Sequence, residues 1–288
     1  MIQNPFGHFN PNYLRALVVK KPGLSAGSTI PKIQSFLGAT KLKGRRLKRY
    51  LELCGYQESE NFVPMTYPHV LGFGKHMSNM LSKKFPLNVM GVIHIRNRIE
   101  ISCPIPMSQK LNFQCYVEGH RQTEKGIEFD LITILQDQGH VVMRSTSTML
   151  SRQQNSLANL SAKAHTLFDH PTAKTEHWSL AKDLGLKYAQ NSGDFNPIHL
   201  YPAAAKAFGF KTTIIHGMWS LARSLAALEP ILPQAPLTVD TEFKLPCFIP
   251  CETMFKHWTD GDVIHYGMLS KDGSRPHLLG TVKKGISS

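Results

Sequence analysis

Two side chains able to move protons stand five positions apart in the segment Ser192-Gly-Asp-Phe-Asn-Pro-Ile-His199: the carboxylate of Asp194 and the imidazole of His199. Gly193 permits a sharp bend and Pro197 keeps a helix from running through, so both lie on a constrained loop. Held this way, the two groups can converge on one small molecule, orient a water, remove one proton and deliver another, which is general acid/base chemistry. For an arbitrary Asp and His at this spacing, a turn cap and a core histidine are the commoner outcome. The rest of the string and the elements around it set this pair apart.

The helix after the loop begins near Pro202, a favoured first-turn residue, and ends at Gly209. A second helix, Gly217 to Leu228, is apolar nearly all round, with only Ser220, Arg223 and Ser224 polar, so it must be buried on most sides. Strand-like runs follow near Glu252 to Thr259, Val263 to Ser270 and His277 to Lys283, separated by Asp260-Gly-Asp262 and Lys271-Asp-Gly-Ser274 as turns. The same plan occurs earlier in the chain. An apolar stretch from Tyr67 to Leu81 precedes runs near Leu111 to Arg121, Gly126 to Leu135 and His140 to Leu150, with Asp137-Gln-Gly139 as a turn. A local echo, Ile99-Glu-Ile-Ser-Cys-Pro-Ile-Pro106 against Phe243-Lys-Leu-Pro-Cys-Phe-Ile-Pro250, places Cys103 and Cys247 half a chain apart, as a duplication would.

One long helix wrapped by a curved antiparallel meander is a hot-dog unit. The expected fold is therefore α+β, a double hot-dog of two tandem units. The expected divisions are an N-terminal arm and helix over 1–60, a degenerate unit over 61–151, a polar linker over 152–174 and a catalytic unit over 175–288. Within the first segment, residues up to about 40 read as an irregular arm, and Leu42 to Tyr56 as a surface helix.

The string around the acid/base pair resembles the signature of the MaoC-like family, the (R)-specific enoyl-CoA hydratases also called hydratase 2. That signature is an aromatic residue followed by Ser-Gly-Asp-x-Asn-Pro-Ile/Leu-His, matched here by Tyr188, Ser192, Gly193, Asp194, Asn196, Pro197, Ile198 and His199. The family also places a His-Gly-Met or similar string at the start of its central helix, as in His216-Gly-Met218. The resemblance implies that Asp194 and His199 bind and activate water and that the Gly217 amide is the oxyanion donor. Ser192, Gly193, Asn196, Tyr188 and His216 would support the site. It implies reversible addition of water to a trans-2-enoyl thioester, giving the (R)-3-hydroxyacyl thioester, with neither metal nor redox cofactor. The competing readings are a hot-dog acyl-thioesterase and a non-catalytic acyl-thioester binding protein, since one fold hosts several activities. The first copy lacks the upstream Gly-Asp-x-Asn-Pro-x-His, so it is expected to serve packing or acyl-chain accommodation, with His69 and His76 structural.

The 288 residues carry 33 Lys and Arg against 20 Asp and Glu, a net charge of +13, which gives a positive surface potential suited to anionic partners. After the run Lys41-Leu-Lys-Gly-Arg-Arg-Leu-Lys-Arg49 the basic residues are dispersed and no reader motif accompanies them, so nucleic acid is not expected. An acyl-CoA or acyl carrier protein thioester fits that charge. Five cysteines at irregular spacing, without a CxxC pair, suggest neither a disulfide framework nor a zinc site. Without a secretory leader or an apolar stretch near ~18 residues, the expectation is a reduced, cytoplasmic monomer or homodimer with no membrane span.

Overall fold

Helix α5 (Gly217–Leu228) buries nine of its side chains, among them Trp219, Leu221, Leu225 and Leu228. The wrapping that such a helix demands is supplied by one ten-stranded sheet. The computed structural model describes residues 15–16, 19–25, 27–58, 61–152 and 169–285. In chain order its elements are β1 (Ile33–Lys41), α1 (Arg45–Cys54), α2 (Tyr67–Leu81), β2 (Val92–Ile101), β3 (Lys110–Thr123), β4 (Gly126–Asp137), β5 (His140–Arg152), β6 (Lys174–Leu180), α3 (Leu184–Ser192), α4 (Pro202–Ala207), α5, β7 (Leu237–Phe243), β8 (Cys251–Asp260), β9 (Val263–Ser270) and β10 (Pro276–Lys284).

The strand order is β1-β3-β4-β5-β2-β7-β10-β9-β8-β6, and every pairing is antiparallel. Strands from the first half of the chain thus lie together, as do those from the second. The seam between them is β2 against β7, with Arg96 opposite Glu242 and Ile101 opposite Leu237. The seam is pinned by Arg98, whose guanidinium donates to Asp240 at 3.0 Å, and by buried Ile99 beside buried Val239. Helix α2 packs on the first-half strands and α5 on the second-half strands, which is the hot-dog arrangement used twice.

The strand runs legible in the sequence fall on β3, β4, β5, β8, β9 and β10, and the two long helices on α2 and α5. The first segment differs from its expectation. Residues 33–41 form a strand rather than irregular arm, paired on the sheet edge with β3. As an edge strand, half-exposed and interrupted by Gly38, it carries no clean alternation for a sequence reading to find. Helix α1 is also less superficial than expected. Leu47, Tyr50, Leu51 and Cys54, spaced for one helical face, are buried in the main core. Most of the polar linker expected over 152–174 lies outside the described residues, as does much of the arm; Lys174 already opens β6. Among the described residues no helix is long and apolar enough to cross a membrane.

Candidate active site

The acid/base loop is built by the end of α3. Gly193 closes that helix at φ 82°, a left-handed conformation that glycine takes at little cost, and donates its N–H to Ala189 O at 2.8 Å. The chain then folds through successive side-chain turns. Ser192 Oγ accepts from the Asp194 amide (3.1 Å), Asp194 Oδ1 from the Asn196 amide (3.2 Å), and Asn196 Oδ1 from the Ile198 amide (3.4 Å). Asn196 thereby caps the single 3-10 turn Pro197–His199. At Gly185, in the first turn of α3, a Cβ would overlap the His199 carbonyl oxygen, so the helix can lie this close to the loop only with glycine there.

His199 Nδ1 lies 2.8 Å from Ile214 O. A carbonyl only accepts, so Nδ1 carries the proton and Nε2 keeps its lone pair. By the same logic His216 donates from Nε2 to the Asp194 carbonyl oxygen at 2.9 Å. The two imidazoles stack with centroids 3.7 Å apart, and the buried ring of Tyr188 backs His216 at 4.9 Å. Each of Asp194, His199 and His216 offers a donor atom within 4.8 Å of the others. A cation there would have to use His216 Nδ1, a buried atom, because Nε2 is spent on Asp194.

Burial pushes the His199 imidazole below its ordinary pKa, with the Asp194 carboxylate and the Ile214 carbonyl acting in the opposite sense. Burial and the neighbouring His199 press His216 down to about 3. Both rings are therefore neutral near pH 7. Gly217 opens α5, directly after His216, so its N–H has no intrahelical acceptor and sits at the positive end of the helix dipole.

These groups border a cavity of about 640 Å³ to which both halves contribute. Asp194, Asn196, His199, His216 and Gly217 line it, whereas Ser192, Gly193 and Tyr188 support it from behind. Phe73, Met77, Met80, Leu131 and Met149 make an apolar wall from the first half. His69 and His94 come from that half too, stacked 6.1 Å apart, and the ring of His94 lies 4.7 Å from Phe243. His76 is buried and bonded to Thr133 Oγ1 at 2.7 Å, as a structural histidine would be, but it also borders the cavity. His69 does not merely fill a core: it lines the cavity, and burial lowers its pKa to about 4 against the pull of Asp194.

A second contributor is Arg46 of α1, within the basic run noted above. Its guanidinium donates to Asn191 O (2.8 Å), Ser192 O (3.3 Å) and Val70 O (3.2 Å), and its own carbonyl accepts from Asn191 Nδ2 (2.9 Å). It thus ties the end of α3, immediately before Asp194, to α2. The helical spacing of Leu47, Tyr50 and Cys54 was the available signal, since it turns the neighbouring Arg46 toward the core.

Comparison with known proteins bears on this architecture directly. Residues 165–249, which include the loop and the start of α5, match the model of the MaoC like domain. Through that stretch the chain carries a MaoC-like domain. Its similarity to 3-hydroxyacyl-thioester dehydratase X of Mycobacterium tuberculosis is 29% identity over 276 residues, covering 94% of this chain and 96% of that protein. The peroxisomal enoyl-CoA hydratase 2 of Arabidopsis thaliana is 24% identical over 217 residues, covering 68% and 70% of the two chains. The crystal structure of HtdX from Mycobacterium tuberculosis superposes with a TM-score of 0.76 at 27% identity, covering 88% of this chain and all of that one.

Proposed function

We propose that the chain is a hydratase/dehydratase of acyl thioesters, interconverting trans-2-enoyl and (R)-3-hydroxyacyl forms on coenzyme A or an acyl carrier protein. The observation that carries this reading is the convergence of Asp194, His199 and the Gly217 amide on one cavity whose far wall is apolar. The proposed division follows: 175–288 the catalytic unit, 61–151 the unit that accommodates the acyl chain, 152–174 their linker, and 1–60 a supporting arm.

The chemistry needs a water, a base and a donor for developing negative charge. Asp194 accepts one hydrogen bond from the water and orients it. His199 Nε2 takes the other proton as the water oxygen bonds to C3. The π electrons move toward the thioester, where the Gly217 N–H and the α5 dipole stabilise the charge on the carbonyl oxygen. The imidazolium then returns its proton to C2 on the same face, so the addition is syn and the enzyme ends as it began. Dehydration is the reverse. No step calls for metal or redox chemistry. His216 holds the His199 ring by stacking and the Asp194 backbone by a hydrogen bond. The net charge of +13 favours encounter with either acidic carrier.

The test is to mix the protein with crotonyl-CoA, a longer 2-enoyl-CoA and their acyl carrier protein forms while following the conjugated absorbance. Its loss supports hydration. Inertness toward all of them would sink the reading, and release of free thiol would point instead to hydrolysis.

A further inference from the structure

Cys247 and Cys251 stand close together in the sequence without a second pair of ligands nearby, and the fold brings their sulfurs to 3.6 Å. A disulfide is ~2.05 Å long, so closure requires a movement of about 1.5 Å, within reach of side-chain rotation and a small loop shift. Cys247 is buried and lines the cavity, while Cys251 is half-buried at the start of β8. We propose that Cys247 and Cys251 form a reversible oxidation site that hydrogen peroxide converts to an intramolecular disulfide. The hydrogen bond from the Cys247 thiol makes Cys251 the more acidic of the two, against the opposing effect of its burial, so Cys251 is the sulfur that reacts first.

The steps balance. Cys251 thiolate attacks the peroxide; an S–O bond forms as the O–O bond breaks, giving a sulfenic acid and hydroxide. The Cys247 sulfur then attacks the Cys251 sulfur, an S–S bond forms, and the sulfenic oxygen leaves as water with the thiol proton. Two thiols and one peroxide become a disulfide and two waters, and a dithiol reductant reverses the change.

The site bears on catalysis through one hydrogen-bonded connection. The Ile215 amide donates to Cys247 O at 2.9 Å, and the Ile249 amide donates to Thr213 O at 3.0 Å. The segment that ends in His216 and Gly217 is therefore laid against the cysteine loop, and drawing Cys247 toward Cys251 shifts the start of α5. The disulfide itself does not rest on the hydratase reading; its effect on turnover does.

The whole protein is treated with hydrogen peroxide and its peptides are mapped by mass, with exposed Cys103 as an internal comparison. The expected result is a Cys247–Cys251 peptide lighter by two hydrogens, formed faster than any change at Cys103 and reversed by dithiothreitol. Cys247→Ser should instead leave a sulfenic acid at Cys251 that dimedone captures. Oxidation of Cys103 while Cys247 and Cys251 stay reduced would overturn the proposal, as would equal dimedone labelling of Cys251 in wild type and Cys247→Ser. Enoyl-thioester turnover should fall several-fold in the oxidised wild type, recover on reduction, and resist peroxide in Cys251→Ser. A disulfide with unchanged turnover would remove its link to the active site.

Discussion

His199 can serve as a base only while its ring is neutral with Nε2 unprotonated: burial keeps the ring neutral against the pull of Asp194 and Ile214, and the Ile214 carbonyl fixes the proton on Nδ1. Burial opposes charging, so the folded-state pKa lies below the ordinary value of ~6.5. A base with a depressed pKa is active above it and fails as pH falls through it. The profile of kcat/KM for hydration should therefore be flat through neutrality, with its acidic limb below about 6.5. A limb centred above that value would contradict the assignment. On the proposed mechanism Asp194 and His199 have separate tasks, and removing either should lower kcat by ~10²–10⁴-fold. For Asp194→Asn and His199→Ala, circular dichroism should show a retained fold, so that the loss is chemical. This pair was legible in the sequence because the loop is made by residues adjacent in the chain, each turning the next. His69 and His94 were not, because they reach the same cavity only through the packing of α2 and β2, well over ninety positions upstream of the loop.

At the level of elements, the site depends on how α3 is held. Its last carbonyls cannot find partners within the helix, and those of Asn191 and Ser192 are taken by Arg46 of α1. The planar guanidinium reaches these two and Val70 O at once, which a lysine ammonium on a flexible stem cannot reproduce. Arg46→Ala should destabilise the protein by about 2–4 kcal/mol, because charge-assisted bonds are lost and carbonyls are left unpaired in a partly closed setting. Arg46→Lys should recover less than half of it. Urea unfolding measures both, and wild-type stability in Arg46→Ala would show that water satisfies those carbonyls unaided. The helices α2 and α5 were plain from their length and apolar surround. By contrast β1 and β6 were hidden, since half-exposed strands at the sheet margins carry weak alternation. The function of α1 was hidden for a different reason: a basic run looks like surface until one knows which of its arginines turns inward.

Across the whole molecule, the two halves form one sheet through the β2–β7 seam, and the cavity exists because neither half closes it alone. The acid/base loop and Gly217 come from the second half; Phe73, Met77, Met80, Leu131 and Met149 come from the first. Duplication followed by loss of the loop in one copy would fit the proposed division, in which the first half trades chemistry for volume. If the apolar wall receives the acyl chain, narrowing it should penalise long chains and spare short ones, whose reacting carbons lie against Asp194 and His199. Met149, half-buried on β5, is the position for such a test, because its flexible side chain tolerates replacement better than a rigid core residue. Met149→Trp should lower kcat/KM for a long 2-enoyl thioester by ~10–100-fold, the cost of about 1–3 kcal/mol expected from overfilling a packed site. The same enzyme should act on crotonyl thioester near the wild-type rate. An equal loss on both substrates would place the acyl chain elsewhere, and the first half would then be a scaffold for the sheet rather than a measure of chain length.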